Sequence, residues 1–291
     1  CYNINYNFFL INVYFFLKLN FMIFWIASYP KSGNTWVRAF LANYISNNSK
    51  NVFEKIQNIK SFPSKEFFEN IVSEHDIKKD YTELFKHFIS AQKKINNNNK
   101  FNILKTHNFG GSIQNSHFTD SNNSCGAVYV VRDPRSIAVS YAYYANISFE
   151  KSTELLLDKN RISFNQKYYP EARLSWDIHV VSWFNNFLPK LFIRYEDLHR
   201  NPIEHFKSIL TFLNKFIKIE IDEKKIGKII DICSFDNLSK LENKIGFSEK
   251  TKKINFFRKG KTDEWKTELT PKLIKKIENS FKKQMKELGY L

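Results

Sequence analysis

The chain has 291 residues, 43% of them hydrophobic and 25% charged. A globular chain of that length buries roughly three quarters of its unfolded surface, which excludes collagen-like, disordered and polytopic membrane architectures. Lys+Arg (45) against Asp+Glu (29) leaves a formal charge of +16, which points toward an anionic partner. Only eight of the 45 are Arg, and Lys, Asn, Ile and Phe are all abundant. An AT-rich coding sequence gives the same bias, so the placement of single basic residues carries more weight than the total. Cys1, Cys125 and Cys233 form no CxxC pair and no His/Cys cluster. Neither a disulfide framework nor a metal site is expected, and a reducing, cytoplasmic compartment fits.

The chain opens on Cys1. The apolar run 8–17 is cut by Lys18 and Asn20 and is too short for a spanning helix, which takes ~20 apolar residues; no membrane span is expected. Met22 is a candidate start, which makes 1–21 a non-native or upstream extension and 22–291 a single domain. Residues 22–27, 101–104, 127–131 and 190–193 are continuous β-branched and aromatic runs, the pattern of parallel strands covered on both faces. Helical spacing predicts helices over 35–45, 134–144, 171–187, 202–212, 223–232 and 271–286. In the third of these, Trp176, Val180, Trp183, Phe184 and Phe187 are expected on one face. Segments 47–57 and 96–100 read as loops, and 239–253 as a polar, mobile stretch around Gly246. Strands alternating with helices predict an α/β fold, a P-loop-like parallel sheet flanked by helices.

Four segments carry chemistry. Residues 28–36 (SYPKSGNTW) follow a predicted strand and open a predicted helix, the context in which backbone N–H groups bind a phosphate. Gly33 lets the backbone approach an anion, Ser32, Asn34 and Thr35 add side-chain donors, and Lys31 adds a charge. The GK[ST] of a Walker A loop is missing. Residues 104–107 (LKTH) end the second strand, where ligands sit in open parallel sheets. Lys105 and His107 lie two apart, so on extended backbone they point the same way, and a neutral His there can take a proton from a hydroxyl. In 129–144 (YVVRDPRSIAVSYAYY), Arg132 follows the third strand and Ser140 lies on the next helix, both able to reach one phosphate. Residues 256–266 (FFRKGKTDEWK) form a basic loop suited to clamp an anion. Singly, each also reads as an ordinary turn, surface histidine, ion pair or solvated loop.

In this order, the four segments resemble the cytosolic-type sulfotransferases that use 3′-phosphoadenosine 5′-phosphosulfate (PAPS), and a bacterial-like member is the expectation. The family's YPKSGTTW is matched at 29–36 with Asn34 as the departure. Its KTH is matched at 105–107, its Arg and the Ser eight residues later at Arg132 and Ser140, its RKG at 258–260, and its following WK at Trp265 and Lys266. Tyr195–Glu196–Asp197 and Ser234–Phe235 match further elements, so the resemblance spans 22 to about 267. It implies a sulfotransferase fold and in-line sulfonate transfer to an acceptor hydroxyl or amine, with PAPS as co-substrate and no metal. Lys31, Ser32, Gly33, Asn34 and Thr35 would hold the 5′-phosphate, with Trp36, Tyr195 and Phe235 around the adenine. Arg132, Ser140, Arg258, Lys259 and Gly260 would bind the 3′-phosphate. His107 would be the general base and Lys105 would stabilise the transferring group. Asp263–Glu264 replaces the family's usual Gly-Asp. The acceptor, whether small molecule, glycan or lipid, and the oligomeric state are not readable. A P-loop-type nucleotide kinase and a basic nucleic-acid-binding protein are the alternatives. The first lacks GK[ST] and the second lacks any gathered basic signature, so no nucleic acid partner is expected.

Overall fold

A computed structural model describes residues 22–46, 48–164, 169–250 and 254–291. The extension read at 1–21 and residues 251–253 of the polar stretch lie outside the described residues. Five strands form one parallel sheet: β1 (Ile23–Ser28), β2 (Ser61–Phe62), β3 (Asn102–Thr106), β4 (Ser124–Val131) and β5 (Lys190–Arg194), in the order β2-β3-β1-β4-β5. From β1 the chain runs to the edge strand β2, comes back to β3 beside β1, and then crosses to β4 on the other side of β1. The carboxyl end of β1 is therefore a topological switch point, where open α/β sheets leave a crevice for ligands.

The apolar runs are strands because both faces are covered. In β1, Ile23, Trp25 and Ala27 join one hydrophobic cluster, while Phe24 and Ile26 join the opposite one. In β4, Ala127, Tyr129 and Val131 share the first cluster and Val128 and Val130 the second. This two-sided burial explains why the strands show no alternation in sequence. Trp25 is fully buried among Phe62 and Phe118, and its indole N–H donates to Ser124 Oγ at 2.7 Å.

Helix α1 (Asn34–Ile45) starts on Gly33, whose φ of 101° is left-handed, and no side chain caps it. Helix α2 (Pro134–Ala145) has Pro134 in its first turn, and Asp133 caps it by accepting from the Arg135 N–H. Proline fits there because its missing N–H is one that the helix leaves unbonded anyway.

Three expectations need correction. The helix predicted over 171–187 is the strand Pro170–Ala172, paired antiparallel with Ile162–Phe164, followed by α3 (Trp176–Asn185). Leu174 at φ 53° breaks the helical path between them. Trp176, Val180 and Trp183 are buried, but Phe184 and Phe187 are exposed; Phe184 lies at the edge of the apolar stripe and Phe187 lies past the helix end. Segment 47–57 contains a helix, Val52–Ile56, started by an Asn51/Glu54 capping box, a signal short enough to be hidden in a polar run. Much of 239–253 belongs to α4 (Phe235–Ile245), capped by Ser234 and stopped at Gly246 with φ 76°.

Replacing Trp25 with Ala is expected to cost about 3–5 kcal/mol, the range for a large aromatic in a rigid core. Urea unfolding measures it; a loss under about 1 kcal/mol would mean that the core closes over the gap.

Candidate active site

A cavity of about 1060 Å³ opens at the carboxyl ends of β1, β3 and β4. Every residue given a donor-binding or catalytic role from the sequence lines it except Ser32, which is fully buried. Trp36, Tyr195 and Phe235 line one end; Arg258, Lys259 and Gly260 close it from the late loop. Ser140 reaches it from α2, and Lys105 and His107 from the end of β3.

The 29–33 loop is held by its backbone. Lys31 takes φ 68° and Gly33 φ 101°. A Cβ at residue 33 would sit 2.5 Å from Tyr195 Cδ2, so only glycine fits between the loop and that ring. Ser32 Oγ and the Trp36 indole N–H are buried without a partner among the described residues. The first turn of α1 also leaves backbone N–H groups that the helix itself cannot satisfy. Orphaned polar groups around a crevice are what a bound anion completes. Asn34 acts differently from the side-chain donor expected. Its amide N–H₂ donates to the Ile26 carbonyl at 2.9 Å and to Ser28 Oγ at 3.3 Å, which ties the loop to β1.

Arg132 joins the two loops that flank the cavity. One end of its guanidinium donates to the Lys31 carbonyl and the other to the Lys261 carbonyl, each at 2.9 Å. The group stacks 4.5 Å from the Tyr195 ring centroid, and its Nε has no partner. Lys31 Nζ lies between the rings of Tyr144 (4.4 Å) and Phe256 (4.0 Å). Burial, and next the charge of Arg132, lower its pKa to about 7.

His107 is oriented by β1. Its Nδ1 is 2.8 Å from the Ser28 carbonyl, which can only accept, so Nδ1 carries the proton and Nε2 keeps its lone pair. His179 Nε2–H reaches the His107 carbonyl at 3.2 Å, and the Tyr129 hydroxyl lies 2.9 Å from His179 Nδ1. Burial first, then the charges of Lys105 and Arg173, push the His107 pKa well below the ordinary imidazole value.

The sequence reading missed the acids of the site. Glu249 binds Arg38 Nη1 at 2.6 Å and Lys105 Nζ at 3.2 Å. Burial raises the Glu249 pKa, but Lys105 and Arg38 overcome this and hold the carboxyl well below the usual range. Glu264, the departure noted beside the RKG segment, pairs with Arg258 and with Lys259 at 3.2 Å, and the Arg258 guanidinium stacks on Tyr143 at 3.8 Å. Arg38 carried a signal: it is the lone charge in the apolar helix NTWVRAFLANYI and is buried. Glu249 carried none, since its partners lie more than a hundred residues away.

Fold and site define an enzyme that receives a polyanion beside a neutral histidine. The sequence matches the sulfotransferase domain over residues 23–289, so the chain belongs to the sulfotransferase family. It is 30% identical over 271 residues to cytosolic sulfotransferase 8 of Arabidopsis thaliana, covering 91% of this chain and 77% of that protein. It is 26% identical over 277 residues to flavonol 3-sulfotransferase of Flaveria bidentis, covering 91% and 82%. These relatives are plant proteins and give the bacterial-like expectation no support. Among solved structures, a mouse sulfotransferase (SULT7A1) complexed with PAP superposes with a TM-score of 0.57 at 20% identity, covering 92% of this chain and 88% of that one. Retinol dehydratase in complex with androsterone and inactive cofactor PAP gives 0.58 at 17%, covering 91% and 80%. Both share the fold. The kinase and nucleic-acid readings give way to the family match. Among the described residues, no helix is long and apolar enough to cross a membrane.

Lys31 generates a pH prediction. Its free-state pKa near 7 rises when an anion binds, so the complex holds more protons than the free protein. Affinity for a phosphorylated nucleotide should then fall as pH rises from 7 to 9, by up to about tenfold per unit. Calorimetry in buffers of different ionisation enthalpy should show proton uptake near pH 8. A pH-independent affinity in that window would remove Lys31 as the titrating group.

Proposed function

We propose that this enzyme takes its sulfonate from PAPS and delivers it to a hydroxyl or amine of a small-molecule acceptor in the cytoplasm, with residues 22–291 as one catalytic domain. The reading is carried by one observation: Lys31, Lys105, Arg132 and His107 converge on a single cavity whose loop–helix junction has unpartnered donors. The names of the relatives and neighbours support it, since flavonol sulfotransferase, cytosolic sulfotransferase and PAP appear among them.

In this reading, the backbone N–H groups at 32–35 and Ser32 Oγ hold the 5′-phosphate, and Asn34 fixes the loop. Trp36, Tyr195 and Phe235 flank the adenine. Arg132, Ser140, Arg258, Lys259 and the Gly260 backbone receive the 3′-phosphate. PAPS supplies an activated sulfonate on a good phosphate leaving group. His107 Nε2 takes the acceptor proton as the new O–S bond forms, and Lys31 faces the negative charge left on the phosphate oxygen as the old S–O bond breaks. Lys105 lies against the sulfonate oxygens. This is chiefly positioning and electrostatics, as in phosphoryl transfer.

His107→Ala should lower turnover by about 10²–10⁴-fold while the affinity for 3′-phosphoadenosine 5′-phosphate (PAP) stays within error. Wild-type turnover in that variant would remove His107 from the base role. Because the His107 pKa lies well below 6.5, its acid limb in the rate profile should also fall below that pH.

Arg258→Ala should weaken PAP far more than adenosine 5′-phosphate, by about tenfold or more. Equal losses for the two nucleotides in calorimetry would place the 3′-phosphate elsewhere.

A further inference from the structure

The half of the cavity beyond His107 contains a cation that the donor chemistry does not use. The hairpin of Ile162–Phe164 and Pro170–Ala172 is fastened directly after His107: the Ala172 N–H donates to Asn108 Oδ1 at 3.0 Å, and the Phe109 N–H donates to the Ala172 carbonyl at 2.7 Å. The next residue, Arg173, lines the cavity. Its Nε and Nη2 both donate to Glu171 Oε2, at 3.1 and 2.6 Å. Glu171 lines the cavity as well, but its side chain is 3% exposed and that of Arg173 13%, so the arginine is the more open of the two. Its Nη1 donates to nothing among the described residues and is not sealed in protein. Leu174 is held at φ 53°, a costly conformation for leucine that persists only where the surroundings fix it.

Lys60, Lys65 and Lys105, which line the cavity nearby, have acid partners as Arg173 does, but none offers the planar edge that Glu171 leaves open on the arginine. Lys60 pairs with Glu66, and Lys65 with Glu74 at 2.6 Å, both on the exposed rim. Lys105 is held by Glu249. Tyr141, Tyr144 and Phe164 give the same region aromatic walls. An acceptor that enters displaces water from the Arg173 edge. A neutral acceptor leaves that edge desolvated and unmatched, whereas a carboxylate, sulfate or phosphate takes it as a charge-assisted hydrogen bond.

We propose that Arg173 is a specificity residue that selects an aromatic hydroxyl acceptor carrying an anionic group, with Glu171 as its positioning residue. The proposal rests on the reading of His107 as the base that faces the acceptor. The test uses the full chain, PAPS, and three phenols of one size: 4-hydroxyphenylacetate, its methyl ester and tyramine. The acid should be favoured over the ester by about tenfold or more in kcat/KM. Arg173→Gln should raise KM for the acid by about 10- to 100-fold relative to the ester, the ester serving as the control for any change that the lost charge makes at His107, and keep PAP affinity intact; Arg173→Lys should recover part of the preference. Equal use of acid and ester by the wild type, equal losses for both in the variant, a preference for tyramine, or no transfer to any phenol while PAP binds would each overturn the proposal. The wild-type comparison stands even if Arg173→Gln does not fold. Transfer to the ester with no preference for the acid would sink this proposal and keep the donor reading. Failure of the wild type to bind PAP would sink the donor reading itself, and this proposal with it.

Discussion

The cavity depends on one guanidinium. Arg132 directly follows β4, next to the central strand β1, and donates to carbonyls of residues 31 and 261, two loops separated by most of the chain. Both are irregular segments with left-handed residues, Lys31 and Gly33 in one and Gly260 in the other. Neither has a ladder of its own to fix it. A lysine in this place would offer a point charge on a flexible stem, whereas the planar fork of arginine spans both carbonyls and leaves a face to stack on Tyr195. Tyr195 in turn leaves no room for a Cβ at residue 33. Ring, guanidinium and glycine therefore set one another's positions, and the rigid sheet carries all three.

Charge balance follows from that geometry. Buried cations are costly unless matched. The chain matches Lys105 and Arg38 with Glu249, and Arg258 and Lys259 with Glu264. Lys31 has two aromatic faces and no carboxylate in contact, and its pKa falls accordingly. Among the described residues, the cavity thus contains cations that already have acids and others, Lys31 and Arg132 among them, whose hydrogen-bond and ring contacts include none. An incoming polyanion gains most where the charge is unmatched and must compete where it is matched.

The sheet was legible because its strands are buried on both faces and so form unbroken apolar runs. The anion loop was legible because proline, lysine and glycine at a strand–helix junction have few other uses. Short helices such as Val52–Ile56 were not, since one turn gives no periodicity and its signal is a cap alone. The 170–187 region misled for a different reason: Trp176, Val180 and Trp183 fit a helical spacing, which the predicted helix carries back to residue 171, and nothing local marks Leu174 as left-handed. The acids of the site were invisible because their role is set by partners brought close only by the fold. Glu249 reaches Arg38 across 211 positions. Asn34 shows a further limit. Its type suggested a donor to the ligand, yet its amide N–H₂ is taken by the Ile26 carbonyl within β1.

The proton transfer proposed for His107 rests on the sheet as well. The Ser28 carbonyl lies at the last position of β1, just before the loop turns away, so the ladder leaves it free to accept from His107 Nδ1. That one bond fixes the tautomer and aims Nε2 away from β1. The next layer repeats the arrangement: the Tyr129 hydroxyl from β4 sits on His179, and His179 reaches the carbonyl of His107. Ser28 and Tyr129 are on strands, His179 is on α3, and His107 is the first residue past β3. Burial and nearby positive charge disfavour the imidazolium, while the hydrogen bond to Ser28 opposes them and keeps the ring in one orientation. A base needs both properties, a lone pair available at neutral pH and a fixed direction. Here the same burial that lowers the pKa also supplies the packed walls that prevent the ring from turning.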